Sequence, residues 1–170
     1  MSIYLDYNAS APIDLRVLDC MVDVYKNSIG NADSRTHGFG ERARSVVEDA
    51  RKQVATLLGI SSDEVFFTSG ATESNNIAIR GLVDYGKKNG KMHIKAVLET
   101  VKHLSENGFE VEFIKPGISG RVNASDVLDK VREDTLLVSV MHVNNETGII
   151  QPVKEIGDEL NQKDVLFHVD

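Results

Sequence analysis

The sequence is short of several things, and each shortage excludes something. One of its 170 residues is cysteine, Cys20, so no internal disulfide can form and a reducing compartment fits. There is no tryptophan, and three prolines are too few to build a Pro-rich linker. Positive charge is also scarce: 19 Lys and Arg face 26 Asp and Glu, a formal net charge of −7. The basic residues are scattered, which argues against direct binding of nucleic-acid phosphates. No stretch approaches the ~20 apolar residues of a membrane span. The start, Met-Ser-Ile-Tyr-Leu-Asp-Tyr-Asn, has neither the basic region nor the apolar core of a signal peptide. A cytoplasmic protein with no membrane partner is the expectation. Five histidines and one cysteine show no metal-ligand spacing, so no metal is expected. What is present, 41% apolar and 26% charged residues, is the composition of a globular domain with one sizeable core.

Helical and strand patterns alternate. Ile3–Asp6 reads as a short strand or extended arm. Leu15–Lys26 reads as a helix with Val17, Leu18, Met21, Val22 and Tyr25 on one side. Glu41–Leu58 carries apolar residues near a 3.6-residue period, with Gly59 at the C-cap position. A strand at Val65–Thr68 and a helix over Thr72–Lys88, with Gly81 inside it, follow. Val97, Leu98, Val101 and Leu104 mark a further helix, ended by Asn107-Gly108. Beyond it come a strand at Glu110–Ile114, a helix at Ser125–Val131, a strand at Thr135–Met141, a helix at Val153–Gln162 and a strand at Val165–Val169. The last two strands are nearly continuous apolar runs, as expected of strands covered on both faces of a parallel sheet. The fold class is therefore α/β, a mostly parallel sheet flanked by helices, in one domain.

The most informative run is Phe66–Asn76. Two aromatics end an apolar stretch, a small-residue turn follows, and a helix begins. Backbone N–H groups at a helix start have no intrahelical partners, and the helix dipole adds positive potential there. Gly70 permits close backbone approach, and Ser69 and Thr72 supply hydroxyls, so the turn suits a phosphate. An ordinary capped turn fits the same residues. In an open α/β sheet, ligands gather at the carboxyl ends of strands. Two more polar groups fall at such ends: His142–Gly148, which contains Asn144 and Asn145, and Asp170.

Six stretches together resemble the cysteine desulfurases, pyridoxal-phosphate enzymes of the class V aminotransferase group. They are Tyr4–Ala9, Gly30–Ser34, Thr36–Gly40, Phe67–Asn75, Ser139–Gly148 and Phe167–Asp170, in the family's order across nearly the whole chain. The resemblance implies that residues 1–170 are an incomplete large domain, with its N-terminal arm, of a fold-type-I enzyme that works as a homodimer. It implies pyridoxal 5′-phosphate as cofactor. Ala71 and Thr72 match the phosphate-binding turn, Asn145 the asparagine beside the phenolic oxygen, and Asp170 the aspartate facing the pyridine nitrogen. The implied reaction frees sulfur from L-cysteine, leaves L-alanine, and passes the sulfur through an enzyme persulfide to an acceptor protein. Iron–sulfur cluster assembly, transfer-RNA thiolation and sulfur modification of DNA are all possible destinations. A selenocysteine lyase or another class V enzyme is an alternative, as is an inactive truncated product that binds a phosphate ligand.

The family's Schiff-base lysine, persulfide cysteine and substrate-binding arginine would all fall after Asp170, so no catalytic residue is assigned within the chain. A sheet ending there would have an unpaired edge. Lys95, Lys102, Lys154 and Lys163 read as solvated. Cys20 reads as a small helix residue and not a nucleophile. His37 and His142 read as structural hydrogen-bonding groups. One departure from the family lies at Lys91–Leu98. The family has a strand, a loop carrying Glu-His whose histidine stacks on the cofactor ring, and then a helix. Here Met92-His93-Ile94 runs directly into Lys95-Ala96-Val97-Leu98, too short for an ordinary βα connection. Neither His93 nor His103 matches the stacking position, and a real deletion would weaken cofactor binding.

Overall fold

The computed structural model describes residues 3–7, 9–96 and 101–170. The chain divides into two compact units, Ser10–Phe67 and a larger one made of Met1–Ala9 with Thr68–Asp170.

The smaller unit is helical. Helix α1, Leu15–Asn27, is capped by Asp14, whose side chain accepts from the Arg16 amide. Helix α2, Gly38–Leu58, begins at His37, whose Nδ1 accepts from the Gly40 amide at 3.2 Å. It ends at Gly59 in the left-handed region, φ 68°, where glycine carries no Cβ penalty. A 3-10 turn at Ser62–Glu64 follows. Residues 65–68 are extended but join no ladder, contrary to the strand expected there. Their local contacts explain why an apolar run need not pair. Arg51 donates to the Val65 carbonyl and lies 5.1 Å over the Phe67 ring, while Phe66 stays exposed.

The larger unit holds the sheet. The helix expected over Thr72–Lys88 is two helices, α3 (Ala71–Arg80) and α4 (Leu82–Asn89), interrupted at Gly81. A Cβ at Gly81 would lie 2.7 Å from the Ile77 carbonyl oxygen. Four strands follow with helices between them: β1 (His93–Ala96), α5 (Lys102–Glu106), β2 (Glu110–Phe113), α6 (Ala124–Leu128), β3 (Thr135–Val140), α7 (Val153–Leu160) and β4 (Leu166–Val169). All pairings are parallel, in the order β2-β1-β3-β4. Every residue of β3 is buried. Leu137 packs with Ile79, Ile94 and Leu104 on one face; Val138 and Val140 pack with Val127, Ile156 and Leu160 on the other. That two-sided cover is what makes β3 read as a nearly continuous apolar run. Strand β4 stands at one end of this strand order, with Leu166 and Val169 exposed. The Ile3–Asp6 segment is extended without a strand partner. No helix among the described residues is long and apolar enough to cross a membrane.

Strand β1 corrects two expectations. Lys95 and Ala96 belong to the strand, not to a following helix, and Lys95 is fully buried rather than solvated. Its Nζ stands 3.5 Å from Glu112 Oε2, an ion-pair distance without hydrogen-bond geometry. Burial pulls the Lys95 amine below its usual range, opposed by the Glu112 carboxylate. Lys163 is exposed, and Lys154 is an exposed partner of Asp158. The side chains of Lys102 and His103, and residues Val97 and Leu98, lie outside the described residues.

Candidate functional site

The carboxyl ends of β3 and β4 and the start of α3 carry the expected site residues. Gly70 precedes α3 with φ 157° and ψ 179°, a conformation essentially reserved for glycine. No side chain caps the helix, and Ala71 and Thr72 are exposed. Their amides start a helix of ten residues, so the anion-attracting end is available. Of the hydroxyls expected to help, Ser69 is already engaged: its amide and its Oγ both donate to Glu73 Oε2, at 2.6 and 2.7 Å. Those bonds hold the Glu73 carboxyl below its usual range. Thr68 Oγ1 shares a hydrogen bond of 2.7 Å with Ser74 Oγ. Thr72 is the hydroxyl left beside the helix start.

Asp170 directly follows β4. Its amide donates to the Val140 carbonyl, and its own carbonyl accepts from the His142 amide at 2.6 Å. The residue is thus clamped by backbone bonds between β3 and the loop after it. Its carboxylate Oδ1 accepts from Asn75 Nδ2 at 2.9 Å, across 95 positions of sequence. Asn75 lies in the first turns of α3, so this bond brings the phosphate-suited helix start and the carboxylate to one end of the sheet. Asn75 Oδ1 faces His168 Nε2 at 3.1 Å, and His168 Nδ1 faces Ser139 Oγ at 2.8 Å. The sequence reading missed Asn75, His168 and Ser139. A signal existed for one of them: residues two apart on a strand share a face, and His168 is two before Asp170.

Asn145 is placed differently. After β3, Asn144 Oδ1 gathers the amides of Glu146 and Thr147 and the Thr147 hydroxyl, at 2.9–3.1 Å, so it is the structural member of the pair. Asn145 is exposed at the loop tip. It lines a cavity of about 750 Å³ with Glu146, Thr147, Gly148 and Leu5, Asp6, Tyr7 and Ala9 of the arm. Ala71, Thr72 and Asp170 do not line that cavity. The structure therefore joins Ala71, Thr72 and Asp170 through Asn75 and leaves Asn145 on a neighbouring surface.

In the smaller unit, His37 caps α2 and bonds Ser34 Oγ through Nε2 at 3.1 Å, a structural role. His142 contributes backbone bonds to Asp170 and Gln151. Cys20, on α1, is exposed. No metal-binding cluster is found among the described residues.

An uncapped helix start suits an anion, and a carboxylate suits a cationic group. The model of the aminotransferase class-V family matches residues 3–170. The chain belongs to the aminotransferase class-V family. It is 44% identical over 174 residues to cysteine desulfurase IscS of Anaeromyxobacter sp. (strain K), covering 99% of this chain and 43% of that protein. It is 46% identical to cysteine desulfurase IscS of Stutzerimonas stutzeri over 179 positions, covering 100% of this chain and 44% of that one. Among solved structures it resembles DndA from Streptomyces lividans, with a TM-score of 0.85 and 47% identity over 99% of this chain and 49% of that one. It also resembles SspA in complex with cysteine, with a TM-score of 0.88 and 36% identity over 99% of this chain and 50% of that one. The class V chain described here thus spans less than half the length of the curated relatives it matches.

Proposed function

We propose that this chain is the cofactor-holding part of a pyridoxal-phosphate-dependent cysteine desulfurase. The observation that carries the reading is the Asn75–Asp170 bond, which draws a carboxylate and an uncapped helix start to the same end of a parallel sheet. The relatives named cysteine desulfurase, and SspA with its bound cysteine, support L-cysteine as the substrate. When bound, the cofactor would supply an electron sink for bond cleavage at the substrate.

The chain's own residues would bind and tune that group. The amides of Ala71 and Thr72, with the Thr72 hydroxyl, would hold its phosphate. Asp170 would keep a proton on the ring nitrogen, because an adjacent carboxylate favours the charged form. Asn145 would reach the ring's phenolic oxygen from the loop after β3. No residue of this chain is assigned to the imine, to attack on sulfur or to the substrate carboxylate. A homodimer, an acceptor protein for the sulfur and a cytoplasmic setting belong to the same proposal.

The test is alanine release from L-cysteine by the protein that carries this chain, supplied with pyridoxal phosphate. Asp170→Asn is expected to cut turnover more than cofactor affinity. Equal turnover in the two proteins would sink the reading. Release from selenocysteine alone would move it to a lyase of the same group.

A further inference from the structure

We propose that Asn75 is a positioning residue for Asp170, held in place by a neutral His168 and Ser139. The idea rests on the reading of Asp170 above. The direction of two of the three hydrogen bonds is fixed by their partners, and the neutral state of His168 sets the third. A carboxylate only accepts, so Nδ2 of Asn75 must face Asp170 Oδ1. The amide oxygen then faces His168, and since it cannot donate, His168 Nε2 must carry the proton. Nδ1 is left to accept from the Ser139 hydroxyl. Ser139 is fully buried on β3, and its seat in the sheet is fixed by pairing to Ala96 and to His168. The relay therefore runs from the rigid middle of the sheet to one oxygen of the carboxylate.

Two consequences follow for a ring nitrogen. Oδ1 accepts from Asn75, which fixes one edge of the carboxylate and leaves Oδ2 without that bond. A neutral relay also orients the carboxylate without cancelling its charge. Burial keeps His168 below the usual imidazole range, opposed only by the Asp170 carboxylate. Asp170 is the charged group facing it; Asn75 of α3 and Ser139 of β3 are uncharged.

The test uses the full chain labelled with nitrogen-15. The imidazole NMR signals of His168 should show the Nε2–H tautomer; an Nδ1–H tautomer would overturn the relay whatever the chain binds. Asn75→Asp keeps the volume and the acceptor for His168 but replaces the donor to Asp170 with a repelling oxygen. It should weaken binding of pyridoxamine 5′-phosphate about tenfold, roughly 1.4 kcal/mol. Binding of the benzene analogue, which lacks the ring nitrogen, should be unchanged. Equal weakening of both ligands would mean a structural role and would overturn the proposal. If the parent chain binds neither ligand while His168 keeps the Nε2–H tautomer, the cofactor reading fails and the relay stands.

Different atoms carry a second proposal: we infer that β1 lacks a segment between Ile94 and Lys95. Central strands covered on both faces hold apolar residues, yet Lys95 is fully buried on β1 with its ammonium hydrogen-bonded to nothing described. The register of β1 against β3 slips between His93 and Ile94, beside the same point. Lys95 through Leu104 carries helix-like apolar spacing at Val97, Leu98, Val101 and Leu104. Lys95 and Ala96 are thus helix-start residues drawn into a strand that has run out of its own.

Inserting about nine residues between Ile94 and Lys95, three apolar to continue β1 and six polar to form a loop, tests this. The thermal midpoint should rise by several degrees, and Lys95 should become reactive to an amine-acylating reagent mapped by mass spectrometry. Lys95→Met in the uninterrupted chain should also raise the midpoint, since its seat is apolar. A fall with Lys95→Met would show a seat built for the ammonium and overturn the inference. So would a Lys95 that stays protected after insertion.

Discussion

The two units use their apolar residues in opposite ways. In the larger unit, β3 buries all six of its residues and feeds two cores, one on each face of the sheet. In the smaller unit, α1 has a clear amphipathic stripe, and buries none of it. Leu15, Val17, Leu18, Met21, Val22 and Tyr25 are all exposed. Periodicity reports that a face must be covered, but not that the covering residues are in the same 170. The difference teaches where stability in this chain resides, and substitutions can test it.

The largest effect should come from the sheet. Leu137→Ala removes a side chain that is 2% exposed and leaves a cavity between β3 and the α3–α5 side. It should cost about 3 kcal/mol, as large-to-small core changes do. Denaturant unfolding followed by far-UV circular dichroism is the measurement. A loss below about 1 kcal/mol would mean that the sheet is not the stable part.

Next comes Gly70→Ala. No atom would meet the new Cβ within 4 Å, so any cost is conformational and not steric crowding from neighbours. Holding an alanine at φ 157° should cost about 1–3 kcal/mol or tilt the start of α3. Pyridoxamine phosphate affinity should fall with it, because the Ala71 and Thr72 amides would no longer be aimed together. Unchanged affinity would detach the helix start from the proposed phosphate site.

Acidification should act on the larger unit selectively. Burial depresses both His93 and His168 there, with Arg132 adding to the effect at His93. The unfolded chain then binds more protons than the folded one as pH falls through the ordinary imidazole value near 6.5. Stability of that unit should decline below about pH 6.5 and hold steady above it, up to the range where other groups titrate. His93→Gln with His168→Gln should flatten the profile. A midpoint independent of pH between 5 and 7 would contradict the buried, neutral state of both rings.

How much of this was legible in the sequence varies with what each residue answers to. Helix α2 and its Gly59 cap were legible, since period and cap are local signals. The parallel sheet was legible from the apolar runs of β3 and β4. Residues 65–68 looked like a strand because aromatics favour strands, yet pairing is a tertiary event and they pair with no strand among the described residues. Lys95 was read as solvated because lysine usually is. Only the short connection after β1 hinted otherwise. At the site, the helix start and Asp170 stood out as residue types at strand ends. Asn75 did not, because its meaning lies in a bond spanning 95 residues. Ser69 was overcounted as a free donor, since Glu73 four residues on had already taken it.

The smallest effect should be in α1, and its smallness is informative. Met21→Ser removes an apolar side chain from the middle of the stripe while it is 43% exposed. With no cover to lose, the change should stay within about 0.5 kcal/mol in the same denaturant experiment. In a buried seat, Met to a small residue costs about 2–5 kcal/mol, so the two cases are well separated. A loss in that higher range would mean that α1 is covered in solution, and sedimentation of the parent chain against the variant would then say whether a second copy does the covering. A loss near zero, set beside the Leu137→Ala result, would place the chain's stability in the sheet.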